Sequence, residues 1–169
     1  MTDIKNRVVD FRRRLYVDHD LTAVDDYIHL DFRSHNPLVS PGRDAYRAFA
    51  ASFHQGIPDL RLDIRQVMAD GDRVVTFIRW EGTHTGPFLG VAPTGKKVTF
   101  ETADIYRMQD GLFIKHWDVV DKLSIATELG LFGVTPRKDD RTPCIQQADG
   151  IAGAANATSA GLSRIGGEF

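Results

Sequence analysis

The stretch from Asp104 to Asp121 holds the residue types best suited to chemistry: Asp-Ile-Tyr-Arg-Met-Gln-Asp-Gly-Leu-Phe-Ile-Lys-His-Trp-Asp-Val-Val-Asp. A strand period puts Leu112, Ile114, His116 and Asp118 on one face, and Phe113, Lys115, Trp117 and Val119 on the other. A carboxylate and an imidazole then share an otherwise aliphatic face. A carboxylate there is costly unless it is paired or functional, and desolvation of a carboxyl raises its pKa toward the range of a general base. Asp118 is the candidate acid or base, with His116 beside it.

The turn at Asp110-Gly111 decides what lies across the hairpin. With Gly111 as the left-handed residue of a three-residue loop, Met108 pairs with Leu112, Asp104 with His116, and Thr102 with Asp118. Both carboxylates then share a face. A two-residue loop would flip Asp104 to the other side; the three-residue loop is the favoured reading. Asp121 directly precedes the stretch 122–130 and reads as a helix N-cap.

The elements that must hold these groups follow from period and punctuation. Ile4, Val8, Phe11 and Leu15 mark an amphipathic helix over 4–16, with Arg12, Arg13 and Arg14 read as a solvated fan around it. A short helix is expected over 22–29, and Leu30 to His35 runs into the breaker Asn36-Pro37. Pro41-Gly42 introduces a helix with Tyr46, Phe49, Ala50 and Phe53 on its apolar face, ended by Gly56 and Pro58. The period then becomes strand-like. Strands are expected over 60–65, 74–84, 98–108 and 112–120, with turns at Asp70-Gly71 and Asp110-Gly111 and a loop over 85–95. A closing helix covers 122–130. Helices followed by an antiparallel meander give an α+β class. Apolar residues on both faces of the sheet call for a second cover, and a homodimer is the expectation. From 136 onward Ala, Gly, Ser and Thr dominate without a period, so the expected organisation is a domain over 1–135 and a flexible tail over 136–169.

Composition narrows the function classes. The chain has 169 residues, with 42% hydrophobic and 26% charged, and a net charge of −2. That balance suits one soluble domain and argues against a nucleic-acid partner. The longest apolar runs fall far short of a membrane span. No apolar leader is read in the first 30 residues, and the single cysteine, Cys144, suits a reducing cytoplasm. No phosphate loop, zinc spacing or nucleophile elbow is present, and the six histidines do not pair at helical spacing. No metal and no cofactor is expected.

Several motifs together are similar to the SnoaL-like polyketide cyclases: Phe77-Ile-Arg-Trp-Glu-Gly-Thr-His-Thr-Gly86, then Gly90, Pro93-Thr94-Gly95, Arg107, Asp110-Gly111 and His116-Trp-Asp-Val-Val-Asp121. Ser34-His35-Asn36-Pro37 and Gly42-Arg43 fit as well, so the resemblance runs from about residue 4 to Gly133. It implies a cone-shaped α+β barrel of the nuclear transport factor 2 type, usually dimeric, around an apolar pocket. It also implies ring closure of an aromatic polyketide ester by intramolecular aldol condensation, with no metal and no covalent intermediate. The family's catalytic Asp matches Asp118, and its pocket Asn matches Asn36. Its pocket His falls at Asp104, a departure that leaves the Asn36 amide and His116 as the candidate oxyanion donors.

Phe49, Phe53, Phe100 and Tyr106 are candidates to line a flat-ring pocket, although core packing is the ordinary fate of such residues. His35 and His84 are candidate substrate contacts, His84 from a glycine-flanked strand end. Trp80 and Trp117 face away by period. A limonene-type epoxide hydrolase, or a related cofactor-free hydroxylase, is the alternative chemistry. Arg79 and Glu81, two apart on one strand face, would then join Asp118 as an acid–Arg–acid set around a water. A non-catalytic small-molecule binding domain is the third reading.

Overall fold

A computed structural model describes residues 4–131; the tail expected over 136–169 lies outside the described residues. The elements are α1 (Ile4–Tyr16), α2 (Ala23–Tyr27), β1 (Ile28–Ser34), α3 (Arg43–Gly56), β2 (Arg61–Asp70), β3 (Arg73–Thr83), β4 (Lys97–Gln109), β5 (Leu112–Val120) and α4 (Lys122–Leu129). The five strands form one sheet in the order β1-β5-β4-β3-β2. All neighbours are antiparallel except β1 and β5. The architecture is α+β, with N-terminal helices packed on a mainly antiparallel sheet.

The helices form where apolar residues recur at helical spacing. In α1, Val8, Phe11 and Leu15 are fully buried, and in α3, Tyr46 and Ala50 are. These stripes meet Ile78 of β3, Tyr106 of β4 and Phe113 of β5 in the core. The end of β5 is turned sharply into α4. Asp121 caps that helix, its side chain accepting from the Ser124 N–H at 3.0 Å, and Gly130 closes it at φ 81°.

Strand β1 went unread in the sequence. Its alternation is present, with Ile28 and Phe32 buried and Leu30 exposed. The helical reading of 22–29 absorbed its first two residues, Ile28 and His29. What makes it a strand is parallel pairing with β5, some eighty residues away, including Ser34 against His116. Local spacing carries no signal for such a pairing.

The β4–β5 hairpin corrects the expected register. Gln109 pairs with Leu112 across a two-residue turn, with Asp110 at φ 52° and Gly111 at φ 80°. Positive φ at both central positions is the turn that matches strand twist. On its own this turn would have turned Asp104 away. A bulge restores the face: Met108 pairs with Phe113 but Arg107 pairs with Lys115, so Ile114 is the extra residue. The consequence is that Phe113, not Ile114, points into the core with His116. Asp104 stands directly opposite Asp118, Tyr106 opposite His116, and Thr102 opposite Val120.

Candidate active site

A cavity of about 170 Å³ opens between the helices and the inner face of the sheet. Its walls are largely aromatic. Tyr16 comes from α1, Tyr46, Phe49 and Phe53 from α3, Trp80 from β3, Phe100 from β4, and Phe88 from the loop after β3. The half-exposed side chains Leu38, Leu89 and Leu131 also line it. Apolar cavities of about 150 Å³ accept one benzene ring, so the enclosed part suits a single flat ring. The polar side chains are few and convergent: Arg12, Asn36, Thr102, Asp104, His116, Asp118 and Lys122.

Asp118 is half-buried and meets one hydrogen-bond donor. Asn36 Nδ2 donates to Asp118 Oδ2 at 2.5 Å. The amide is aimed by its own loop, because Asn36 Oδ1 accepts from the Leu38 N–H at 2.9 Å and the Asn36 N–H donates to Ser34 Oγ at 3.2 Å. Asp118 Oδ1 has no hydrogen-bond partner among the described residues. Asp118 also makes no ion pair there.

Asp104 is in the opposite condition. It is buried and receives three groups: Arg12 by a direct ion pair, Thr102 Oγ1 at 2.7 Å, and His116 Nε2 at 3.0 Å. Trp80 Nε1 donates to Thr102 Oγ1 at 3.0 Å and orients that hydroxyl. Burial pushes the Asp104 carboxyl up, but the Arg12 guanidinium, His116 and Thr102 outweigh it and hold it down at about 2. The other ring nitrogen of His116 meets Ser34 Oγ at 3.1 Å, so both nitrogens are engaged by protein. The ring is clamped, stacked on Tyr106 with centroids 4.5 Å apart.

Arg12 is a buried, charged lining residue that the sequence reading missed. It is 3% exposed, lines the cavity, and lies over the rings of Tyr106, Tyr16 and Trp80 at 5.1, 5.5 and 5.9 Å. The expected solvated fan holds only for its neighbours, since Arg13 pairs with Asp10 and Asp18, and Arg14 with Asp20 and Asp26. The signal was there: Arg12 sits at i+4 from Val8 and i−4 from Tyr16, inside the buried stripe.

Of the predicted site residues, Asn36, Asp104, His116, Asp118, Phe49, Phe53 and Phe100 line the cavity, and five do not. Arg79 and Glu81 lie on the outer face of β3 and pair with each other at 3.0 Å. Trp80 between them points inward, the reverse of its expected direction, because the inward phase of β3 runs Val74, Thr76, Ile78, Trp80. The acid–Arg–acid set of Arg79, Glu81 and Asp118 is therefore not assembled. His35 stacks on Trp117 at 4.8 Å, away from the cavity. Tyr106 is buried behind the lining, its hydroxyl 2.8 Å from that of Tyr46. His84 is buried one layer back. Its Nδ1 meets Thr94 Oγ1 at 3.0 Å, and Phe88 stands 6.3 Å away on the cavity side.

Asp104, His116 and Asp118 bring ligand atoms within 4.8 Å of one another, the geometric minimum for a metal site. Their donor chemistry does not fit a cation. Both nitrogens of His116 are used, Asp104 is neutralised by Arg12, and a dication would stand beside that guanidinium.

Comparison with known proteins now decides the family. The model of the SnoaL-like polyketide cyclases matches residues 6–129. The chain belongs to the SnoaL-like polyketide cyclase family. Solved structures agree. TsrD from Streptomyces laurentii is 28% identical with a TM-score of 0.71, over 75% of this chain and 95% of that one. AclR from Streptomyces galilaeus, provisionally named a hydroxylase, is 27% identical with a TM-score of 0.70, over 79% and 84%. A protein of Jannaschia sp. CCS1, provisionally named a SnoaL-like polyketide cyclase, is 28% identical with a TM-score of 0.66, over 76% and 95%. No curated protein sequence matches the chain. The SnoaL-like fold is thus the nuclear transport factor 2-like α+β fold expected from the sequence. No helix among the described residues is long and apolar enough to cross a membrane.

Proposed function

We propose that this SnoaL-like protein is a cofactor-independent cyclase that closes a ring in a small polyketide-derived ester by an intramolecular aldol reaction, with Asp118 as the acid and base. The observation that supports this reading is the contrast within Asp118 itself. One oxygen is held by Asn36, and the other has no partner among the described residues, in an aromatic cavity. A carboxylate with a free lone pair beside an apolar cavity is what proton abstraction from carbon requires.

The step balances as follows. Asp118 takes a proton from a carbon flanked by two carbonyls, and the C–H electron pair moves onto a carbonyl oxygen as an enolate. The enolate carbon attacks a second carbonyl of the same molecule, forming the ring C–C bond. The new alkoxide takes the proton back from Asp118. The aromatic walls hold the chain folded for attack.

The test is deuterium uptake and ring closure in heavy water on aromatic polyketide esters, read by mass spectrometry. Asp118→Asn is expected to fold normally and lose on the order of 10²–10⁴ in rate. A variant that keeps the full rate removes Asp118 from the role.

Epoxide hydrolysis has weaker support. It needs a neutral acid beside the ionised one, and the Asp104 carboxyl, held at about 2, is ionised at neutral pH. In the proposed working state the enzyme is a cytoplasmic homodimer. Ile105 and Val119 on the outer sheet face, 37% and 73% exposed, support the pairing. Light scattering at micromolar concentration checks it, and a monomer would refute it.

A further inference from the structure

Arg12 carries an inference that rests on the cyclase reading and deepens it. A guanidinium has five N–H donors. Among the described residues this one has a single acceptor partner, the Asp104 carboxylate, and its buried Nε has none. Unmet donors of a buried cation are costly. Here they belong to a side chain that lines the cavity shared with Asp118. The other buried nitrogen donors of the pocket are engaged, and Lys122, the second cation of the lining, is exposed. His116 is consumed at both nitrogens, Asn36 Nδ2 is given to Asp118, and the Trp80 N–H is given to Thr102.

The charges favour the same assignment. Among the buried and half-buried groups of the lining, Arg12 and Asp104 cancel and an ionised Asp118 leaves one negative charge in excess; the other cation of the lining, Lys122, is exposed. A ligand carboxylate would meet repulsion, whereas an uncharged carbonyl would not. When Asp118 takes a proton from such a ligand, the negative charge passes to the ligand oxygen. A guanidinium beside that oxygen stabilises the charge as it develops, and a preformed donor in a dry site needs little reorganisation.

We infer that Arg12 is a catalytic residue that binds the keto oxygen of an uncharged aromatic 1,3-dicarbonyl ligand and stabilises its enolate. It takes the oxyanion role for which the sequence reading offered the Asn36 amide and His116.

The test is equilibrium binding, read without turnover by quenching of tryptophan fluorescence. The probes are ethyl benzoylacetate and ethyl 3-phenylpropanoate, which differ in the keto oxygen. The wild type is expected to bind the keto ester at least tenfold more tightly. Arg12→Lys keeps the charge facing Asp104 but removes the fork of donors. Arg12→Met combined with Asp104→Asn removes the ion pair without stranding a charge. Both are expected to bring the two esters within about twofold of each other, with affinity for the phenylpropanoate unchanged. Equal binding of the two esters by the wild type, or no binding of either, overturns the assignment. So does a keto preference that survives in both variants. Equal loss of both ligands also overturns it, because Arg12 would then only shape the cavity. Asp118→Asn is expected to keep the keto preference while losing exchange, so a failed acid–base reading and a failed Arg12 assignment give different patterns.

Discussion

Asp104 and Asp118 face each other across one strand pair, yet the two ends of that pair are built for different purposes. The Asp104 side is buried and saturated, with Arg12, Thr102 and His116 on its oxygens. The Asp118 side is half-buried and underfilled, with Asn36 on one oxygen. Two carboxylates on neighbouring positions of one sheet face would repel each other if both were bare. Arg12, delivered from α1, cancels one of them. The lesson is that a polar cluster in a pocket separates into a saturated part and an unsaturated part according to which oxygens remain unmet.

The largest contrast expected between the two ends sets activity against stability. Asp118→Asn is expected to lose rate by orders of magnitude while keeping its denaturation midpoint. Arg12→Met is expected to lose about 3–5 kcal/mol of stability, because it strands the Asp104 charge in the interior. Denaturant unfolding measures this, and adding Asp104→Asn is expected to restore much of the loss. If Arg12→Met unfolds like the wild type, the Asp104 end is not a stabilising device.

Acid gives a smaller effect. The Asp104 carboxyl is depressed from 3.8 to about 2 in the folded state. Its contribution is therefore fully present above about pH 4 and is lost as the pH falls toward 2. A shift of that size corresponds to about 2 kcal/mol. Unfolding midpoints between pH 5 and pH 2 should fall more steeply in the wild type than in Asp104→Asn. Parallel curves would break the comparison.

The smallest effect sharpens the contrast between the two faces of β3. Glu81→Gln breaks a pair on the outer face and is expected to change stability by less than about 0.5 kcal/mol. It should leave the exchange rate unaltered. A large loss of rate would return Glu81 to the site.

Much of this was legible in the chain alone. Helical and strand periods marked α1, α3, β3, β4 and β5, and punctuation by Gly, Pro and Asp marked the ends that Asp121 and Gly130 cap. The family motifs singled out Asp118 and Asn36, and both line the cavity. Local spacing failed where distant partners or an inserted residue intervene. The parallel pairing of β1, the bulge at Ile114, the inward turn of Trp80 and the outward turn of Arg79 and Glu81 all depend on register across strands. Arg12 shows the division most plainly. The sequence determined that a cation sits on the buried stripe of α1, through its spacing from Val8 and Tyr16. Only the tertiary structure decided that Asp104 would meet it there, because an ion pair between residues ninety-two positions apart depends on a helix docking over a sheet, and no local pattern encodes that approach.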